Sequence, residues 1–159
     1  MRRNDVILII VIVMLAIGGL TAFFITPSDP GDIAVVSYRD GRYEQEILRI
    51  DLRDGRYETL DENFVYRSDI DEEDPVLKRC FKEGEDVYCV LGDQGVVVIE
   101  YANGKVRVVE ETSDYNLCRY QGDDDGFTNS PSRPLICLPN RITVRILARE
   151  RDETIDFES

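Results

Sequence analysis

The chain contains four cysteines, Cys80, Cys89, Cys118 and Cys137, whose thiols could support chemistry. Thiols can form disulfides, bind a metal or act as redox nucleophiles. The sequence has neither a CxxC motif nor the knuckle spacings of a four-cysteine zinc site, which argues against the last two uses. Four cysteines allow three complete disulfide pairings, and proximity along the chain favours Cys80–Cys89 and Cys118–Cys137. The same residues can instead remain small buried hydrophobic side chains.

The other polar residues form no catalytic constellation. The chain has no histidine, which excludes serine–histidine and cysteine–histidine pairs, HExxH zinc sites and any imidazole base. Two acidic runs, residues 69–75 and 123–125, invite a calcium-binding interpretation, but neither has the alternating ligands of an EF-hand loop. We interpret both as solvated loops. The sequence therefore predicts a protein that is not an enzyme, with no catalytic residues, no cofactor and no metal site.

Residues 6–25 form an uncharged, mostly apolar segment. A helix of about 20 residues, rising about 1.5 Å per residue, spans a hydrocarbon core about 30 Å thick. Arg2 and Arg3 precede the segment, so the positive-inside rule places residues 1–5 in the cytoplasm and the C-terminal domain outside. A cleaved signal peptide is the alternative, but its apolar region runs about 7–15 residues, and Leu20-Thr21-Ala22 is a poor cleavage site. We predict a single-pass signal-anchor in the cell membrane, followed by a linker at residues 26–32.

The chain is strongly acidic, with a formal net charge of −13 at pH 7. A surface of this charge repels the phosphate backbone of nucleic acids and anionic lipid headgroups. We therefore expect no nucleic-acid partner. The expected contacts are with the membrane, through residues 6–25, and with a membrane or envelope protein.

Residues 33–149 have the pattern of an extracytoplasmic all-β domain. The sequence RDGRYE begins at Arg39 and again at Arg53, and Asp-Gly between extended runs is typical of hairpin turns. Asn103-Gly104 indicates another hairpin. Strands are predicted at residues 33–39, 42–51, 56–60, 76–81, 86–91, 96–101, 105–111, 135–138 and 141–147, with one helical turn through Cys118. We predict a small sandwich or barrel of antiparallel hairpins, with residues 61–94 as an insertion and residues 150–159 as a polar tail.

Two motifs in this domain resemble the NusG domain II family. They are GKVRVVEE at residues 104–111, with the cysteine loop that follows, and ICLPNR at residues 136–141. The family-motif residues matched are Gly104, Lys105, Val106, Cys118, Cys137, Leu138, Pro139, Asn140 and Arg141. Ser113 and Asp114 stand where the family has Cys-Pro, which puts any dithiol role of that loop in doubt. The resemblance implies a stand-alone, membrane-anchored bacterial form that sits beside a membrane transport or redox complex.

Three functions follow from these observations. The first is a non-enzymatic protein-interaction or accessory module tethered to the outer face of the membrane. The alternative is a thiol-redox or metal-binding accessory protein that uses its cysteines. Nucleic-acid binding, as in the transcription factor NusG, is the least favoured because of the acidic charge.

Overall fold

The computed structural model describes residues 7, 9, 11–16, 30–66, 75–82, 84–112 and 115–148. Eight strands in these ranges form two antiparallel sheets, which confirms the predicted all-β class. The strands are β1 (Ile33–Asp40), β2 (Tyr43–Asp51), β3 (Tyr57–Thr59), β4 (Val87–Gly92), β5 (Gly95–Ala102), β6 (Lys105–Glu111), β7 (Leu135–Cys137) and β8 (Ile142–Leu147). Short 3-10 helices lie at Glu62–Phe64, Leu77–Arg79, Leu117–Tyr120 and Leu138–Asn140.

The first sheet has five strands in the order β3-β2-β1-β8-β7. Strands β1 to β3 form the predicted meander, and β8 returns from the far end of the sequence to pair with the other side of β1. Strand β7 pairs with β8 and lies at the edge of this sheet. The first Asp-Gly turn has Gly41 at a φ of 59°, which is a conformation that glycine adopts at no steric cost.

The second sheet has the order β4-β5-β6. Asn103 and Gly104 join β5 to β6 with φ values of 51° and 76°, as a two-residue turn with both central residues left-handed requires. The two sheets bury one shared core, to which the first contributes residues such as Ile50 and Ile146 and the second residues such as Val97 and Val108. The shared core makes the domain a small sandwich.

The segment predicted as an insertion, residues 61–94, contains β4, which is paired with β5 along its whole length. The predicted strand at residues 76–81 is wrong, because a 3-10 helix occupies Leu77–Arg79. Phe81 then takes a φ of 50°, which turns the chain out of an extended path before β4 begins. The acidic residues 69–74 lie outside the described ranges.

Most of the predicted anchor and the whole polar tail, residues 150–159, also lie outside the described ranges. Residues 11–16 are helical. Within the described residues, no helix combines the length and the apolar character needed to cross a membrane.

Candidate functional site

A buried cluster forms where the end of β6 meets the end of β7. Glu111 is the last residue of β6, Cys118 lies in the 3-10 helix Leu117–Tyr120, and Cys137 is the last residue of β7. The two sulfur atoms and a carboxylate oxygen of Glu111 all lie within 4.8 Å of one another. All three residues are buried: Glu111 is 4% exposed, Cys118 2% and Cys137 1%. We call this group the thiol–carboxylate cluster.

The 3-10 helix is held against β7 by a side chain that pairs with the strand edge. Asn116 starts the helix in a left-handed conformation, with a φ of 43°. Gln121 follows the helix, and its amide nitrogen donates to the carbonyl oxygen of Ile136 at 2.7 Å. The amide oxygen of Gln121 accepts the backbone N–H of Ile136, also at 2.7 Å. These two bonds occupy the edge of β7 and place Cys118 beside Cys137.

The carboxylate of Glu111 is oriented by two neutral donors. The backbone N–H of Cys118 donates to one oxygen at 3.2 Å, and the side-chain amide of Asn140 donates to the other at 3.1 Å. Hydrogen bonding with the Cys137 thiol, then burial and the Glu111 carboxylate, raise the pKa of Cys118 far above its ordinary value. At neutral pH Cys118 is therefore a protonated thiol and a slow nucleophile.

The ICLPNR motif has a structural explanation in Asn140. This residue is fully buried, and its side-chain oxygen accepts the backbone N–H of Gln94 at 3.0 Å in the turn between β4 and β5. Gly92 approaches so closely that an added Cβ would lie 2.4 Å from the Cβ of Asn140. Asn140 thus connects the β4–β5 turn of one sheet to Glu111 and to the end of β7.

Arg141 extends the same connection at the surface. Its guanidinium group lies 2.9 Å from a carboxylate oxygen of Asp40 and 2.8 Å from one of Asp93. Pro139 occupies the first turn of the 3-10 helix Leu138–Asn140. Leu138 does not pack into the core, because it is 78% exposed. The motif therefore combines the buried hydrogen bonds of Asn140 with two exposed apolar side chains, Ile136 and Leu138.

The first family motif and the acidic triplet meet in one ion-pair network. Lys105, next to the Gly104 turn, lies 3.5 Å from a carboxylate oxygen of Asp123, and Arg133 lies 2.6 Å from the other. Val106 is buried and bridges to Thr128. Asp123 thus faces two cationic side chains, and the interpretation of residues 123–125 as a solvated loop stays a prediction.

Cys80 and Cys89 form a disulfide that joins the Leu77–Arg79 turn to β4, with Cα atoms 5.5 Å apart. Both residues belong to a small second core with Val87 and Val98. Cys118 and Cys137 are instead buried free thiols. The structure thus contains the predicted Cys80–Cys89 disulfide but not the predicted Cys118–Cys137 disulfide, although the sulfur atoms of Cys118 and Cys137 lie within 4.8 Å of each other.

Sequence reasoning missed two features of this region. Glu111 was not a candidate site residue, since separations of 7 and 26 residues from the two cysteines match no ligand pattern. Exposed large apolar side chains also went unnoticed. Five of the eight such residues between positions 30 and 148 lie in two neighbouring segments, and they are Tyr115, Leu117, Tyr120, Ile136 and Leu138. In β8, apolar and polar residues alternate and so identify the buried face. The two segments with exposed apolar side chains show no such alternation, so their sequence does not separate inward from outward residues.

Comparison with protein families matches the NusG domain II model to residues 6–150, a range that includes both motifs and the thiol–carboxylate cluster. Comparisons with curated proteins and with solved structures gave no match. Because the family model covers most of the chain, this protein belongs to the NusG domain II family.

Proposed function

We propose that the chain is a non-enzymatic docking module, anchored in the membrane by residues 6–25, with its β domain on the outer face. The observation that carries the docking role is the exposure of Leu117, Tyr120, Ile136 and Leu138 on two adjacent segments. We call these four side chains the apolar surface. Exposed apolar side chains gathered in one region of a soluble domain are typical of protein-binding sites.

The groove beside the apolar surface indicates the chemistry of the partner. It has a volume of about 480 Å³ and combines Ile136 and Leu138 with the guanidinium groups of Arg39, Arg141 and Arg145. Arg141 is already paired with Asp40 and Asp93, and Arg145 with Glu44, which also lines the groove. We therefore expect a partner segment that presents apolar side chains, with a carboxylate facing Arg39. The proposed partner is a membrane or envelope protein with such a segment, such as a subunit of a transport or redox complex.

The absence of enzymatic activity is part of this proposal and has chemical support. The chain has no histidine and therefore no imidazole base, and the raised pKa of Cys118 means that this residue offers no ready thiolate. The net charge of −13 disfavours nucleic acid. The family motifs are accounted for by turns, buried hydrogen bonds and ion pairs, as described for Asn140 and Arg141.

In-cell crosslinking of tagged full-length protein, followed by affinity purification, tests the docking role. We expect one stoichiometric membrane protein that is captured by the wild type and lost in Leu117→Glu and Leu138→Glu. Leu60→Glu is the matched control, because Leu60 is also exposed and follows β3 at the opposite edge of the five-stranded sheet. Equal capture of that protein by all three folded variants would refute the role of the apolar surface.

The second candidate function, thiol redox chemistry, is favoured by the closeness of Cys118 and Cys137. It requires a thiolate, and hydrogen bonding and burial oppose one at Cys118. The rate of alkylation by iodoacetamide in the native state discriminates the two functions. A redox thiol reacts within minutes at pH 7, whereas the proposed docking module reacts only on unfolding.

A further inference from the structure

We infer that the thiol–carboxylate cluster is a binding site for one zinc ion, with Cys118, Cys137 and Glu111 as its protein ligands. This inference is independent of the proposed docking role. Its basis is the convergence of two sulfur atoms and one carboxylate oxygen, each from a different structural element, within 4.8 Å of one another. Within the described residues, these are the only Cys, Asp and Glu side chains that converge in this way.

The separations are suitable for zinc after a small contraction. Zinc binds thiolate sulfur at about 2.3 Å and carboxylate oxygen at about 2.0–2.2 Å in tetrahedral geometry, which places neighbouring ligand atoms about 3.5–3.8 Å apart. The three atoms, now within 4.8 Å of one another, therefore need to approach by at most about 1.0–1.3 Å. Cys118 belongs to a one-turn helix, and such a segment can shift by this amount more easily than a central strand.

The ligand types select the class of metal. Two sulfur ligands favour soft or borderline cations over calcium and magnesium, which prefer oxygen alone. The carboxylate distinguishes zinc from copper(I), which two thiolates satisfy without an oxygen ligand. On binding, both thiols lose their protons to solvent, and the zinc ion compensates the negative charge that results. Three protein ligands leave the fourth tetrahedral position to a non-protein ligand.

The surroundings of Glu111 resemble the outer shell of a metal site. The backbone N–H of Cys118 and the amide of Asn140 each hold one carboxylate oxygen, at 3.2 and 3.1 Å. Such bonds fix the orientation of a metal-binding carboxylate before the metal arrives. Asn140 is itself fully buried and held by the N–H of Gln94, so the orientation is set by the fold.

Zinc and cobalt titrations of reduced, purified full-length protein in detergent test the inference. We expect one zinc ion per chain after gel filtration, and a sulfur-to-cobalt charge-transfer band when cobalt replaces zinc. Glu111→Gln should weaken zinc binding by about 10-fold or more. Glu110→Gln is the matched control, because Glu110 is the exposed neighbour of Glu111 on the same strand and should leave the affinity unchanged.

The Cys118→Ser/Cys137→Ser double variant controls for Cys80 and Cys89, which reduction also converts to thiols. We expect it to lose the zinc ion and the cobalt band while its circular dichroism spectrum stays that of the wild type. Retained binding in this variant, or an unchanged affinity in Glu111→Gln, overturns the assignment. So does a folded, reduced wild type that takes up neither metal, or a native Cys118–Cys137 disulfide that persists under mild reduction.

Discussion

Replacing Asn140 by alanine should destabilise the domain more than any change at an exposed asparagine. The change removes a donor to the buried carboxylate of Glu111 and an acceptor for the N–H of Gln94. A hydrogen bond to a charged group contributes about 1.5–3 kcal/mol, and a partly buried backbone bond about 0.5–1.5 kcal/mol. We therefore expect the free energy of unfolding to fall by about 2–4.5 kcal/mol, which in a domain of this size lowers the melting temperature by about 8–18 °C.

Urea unfolding followed by circular dichroism measures this loss, since the chain has no tryptophan for fluorescence. Asn63→Ala is the control, because its amide bonds only to Asp61 at the exposed start of a 3-10 helix and should cost less than about 1 kcal/mol. Asn140→Asp keeps the acceptor for Gln94 but places a second carboxylate beside Glu111. The pKa of the introduced carboxyl group in the folded state is therefore raised. The loss of stability caused by Asn140→Asp should shrink as the pH falls from 7 to 5, because the carboxyl group then becomes protonated. A loss below about 1 kcal/mol for Asn140→Ala would contradict the assigned role of this residue.

Two further predictions concern Tyr88 and the disulfide. Burial, and next the Asp86 carboxylate, raise the pKa of Tyr88 above its ordinary value, so the folded state loses stability as the pH rises above about 10. Tyr88→Phe should be less stable than the wild type by about 1 kcal/mol at pH 7, because the phenol donates to the carbonyl oxygen of Gly55. Between about pH 9 and 11, however, its free energy of unfolding should fall less than that of the wild type. Parallel curves of stability against pH would contradict this. The Cys80→Ser/Cys89→Ser variant should be less stable by about 2–3 kcal/mol in urea, given a separation of nine residues. An unchanged unfolding midpoint would show that this disulfide does not constrain the unfolded chain.

The strands were predictable wherever local chemistry determines them. Asp40-Gly41 and Asn103-Gly104 specify turns through glycine conformation, and the alternation in β8 specifies its buried face. Residues 76–81 were misassigned because a short apolar run does not distinguish a strand from a helical turn, and the positive φ of Phe81 depends on tertiary contacts. The proximity of Glu111 to the cysteines was not predictable either, since it results from tertiary contacts. Cys118 and Asn140 donate to the Glu111 carboxylate, and Gln121 places Cys118 beside Cys137.

The hydrogen bonds of Asn140 link three features of the ICLPNR segment that its individual residues do not suggest are connected. Cys137 and Leu138 precede Asn140 directly, so one short segment contributes a buried thiol, an exposed apolar side chain and the hydrogen bonds that fix both. Because Asn140 also orients Glu111, a ligand that closes the thiol–carboxylate cluster would stiffen the segment that presents Leu138. Zinc at the cluster would then stabilise the bound shape of the apolar surface without touching the partner, since a pre-ordered surface loses less entropy on binding. Partner affinity should therefore be lower than that of the wild type in both Glu111→Gln and Leu138→Glu. A chelator should weaken the wild type to the level of Glu111→Gln, so that this difference vanishes, whereas Leu138→Glu should still bind more weakly than the chelated wild type.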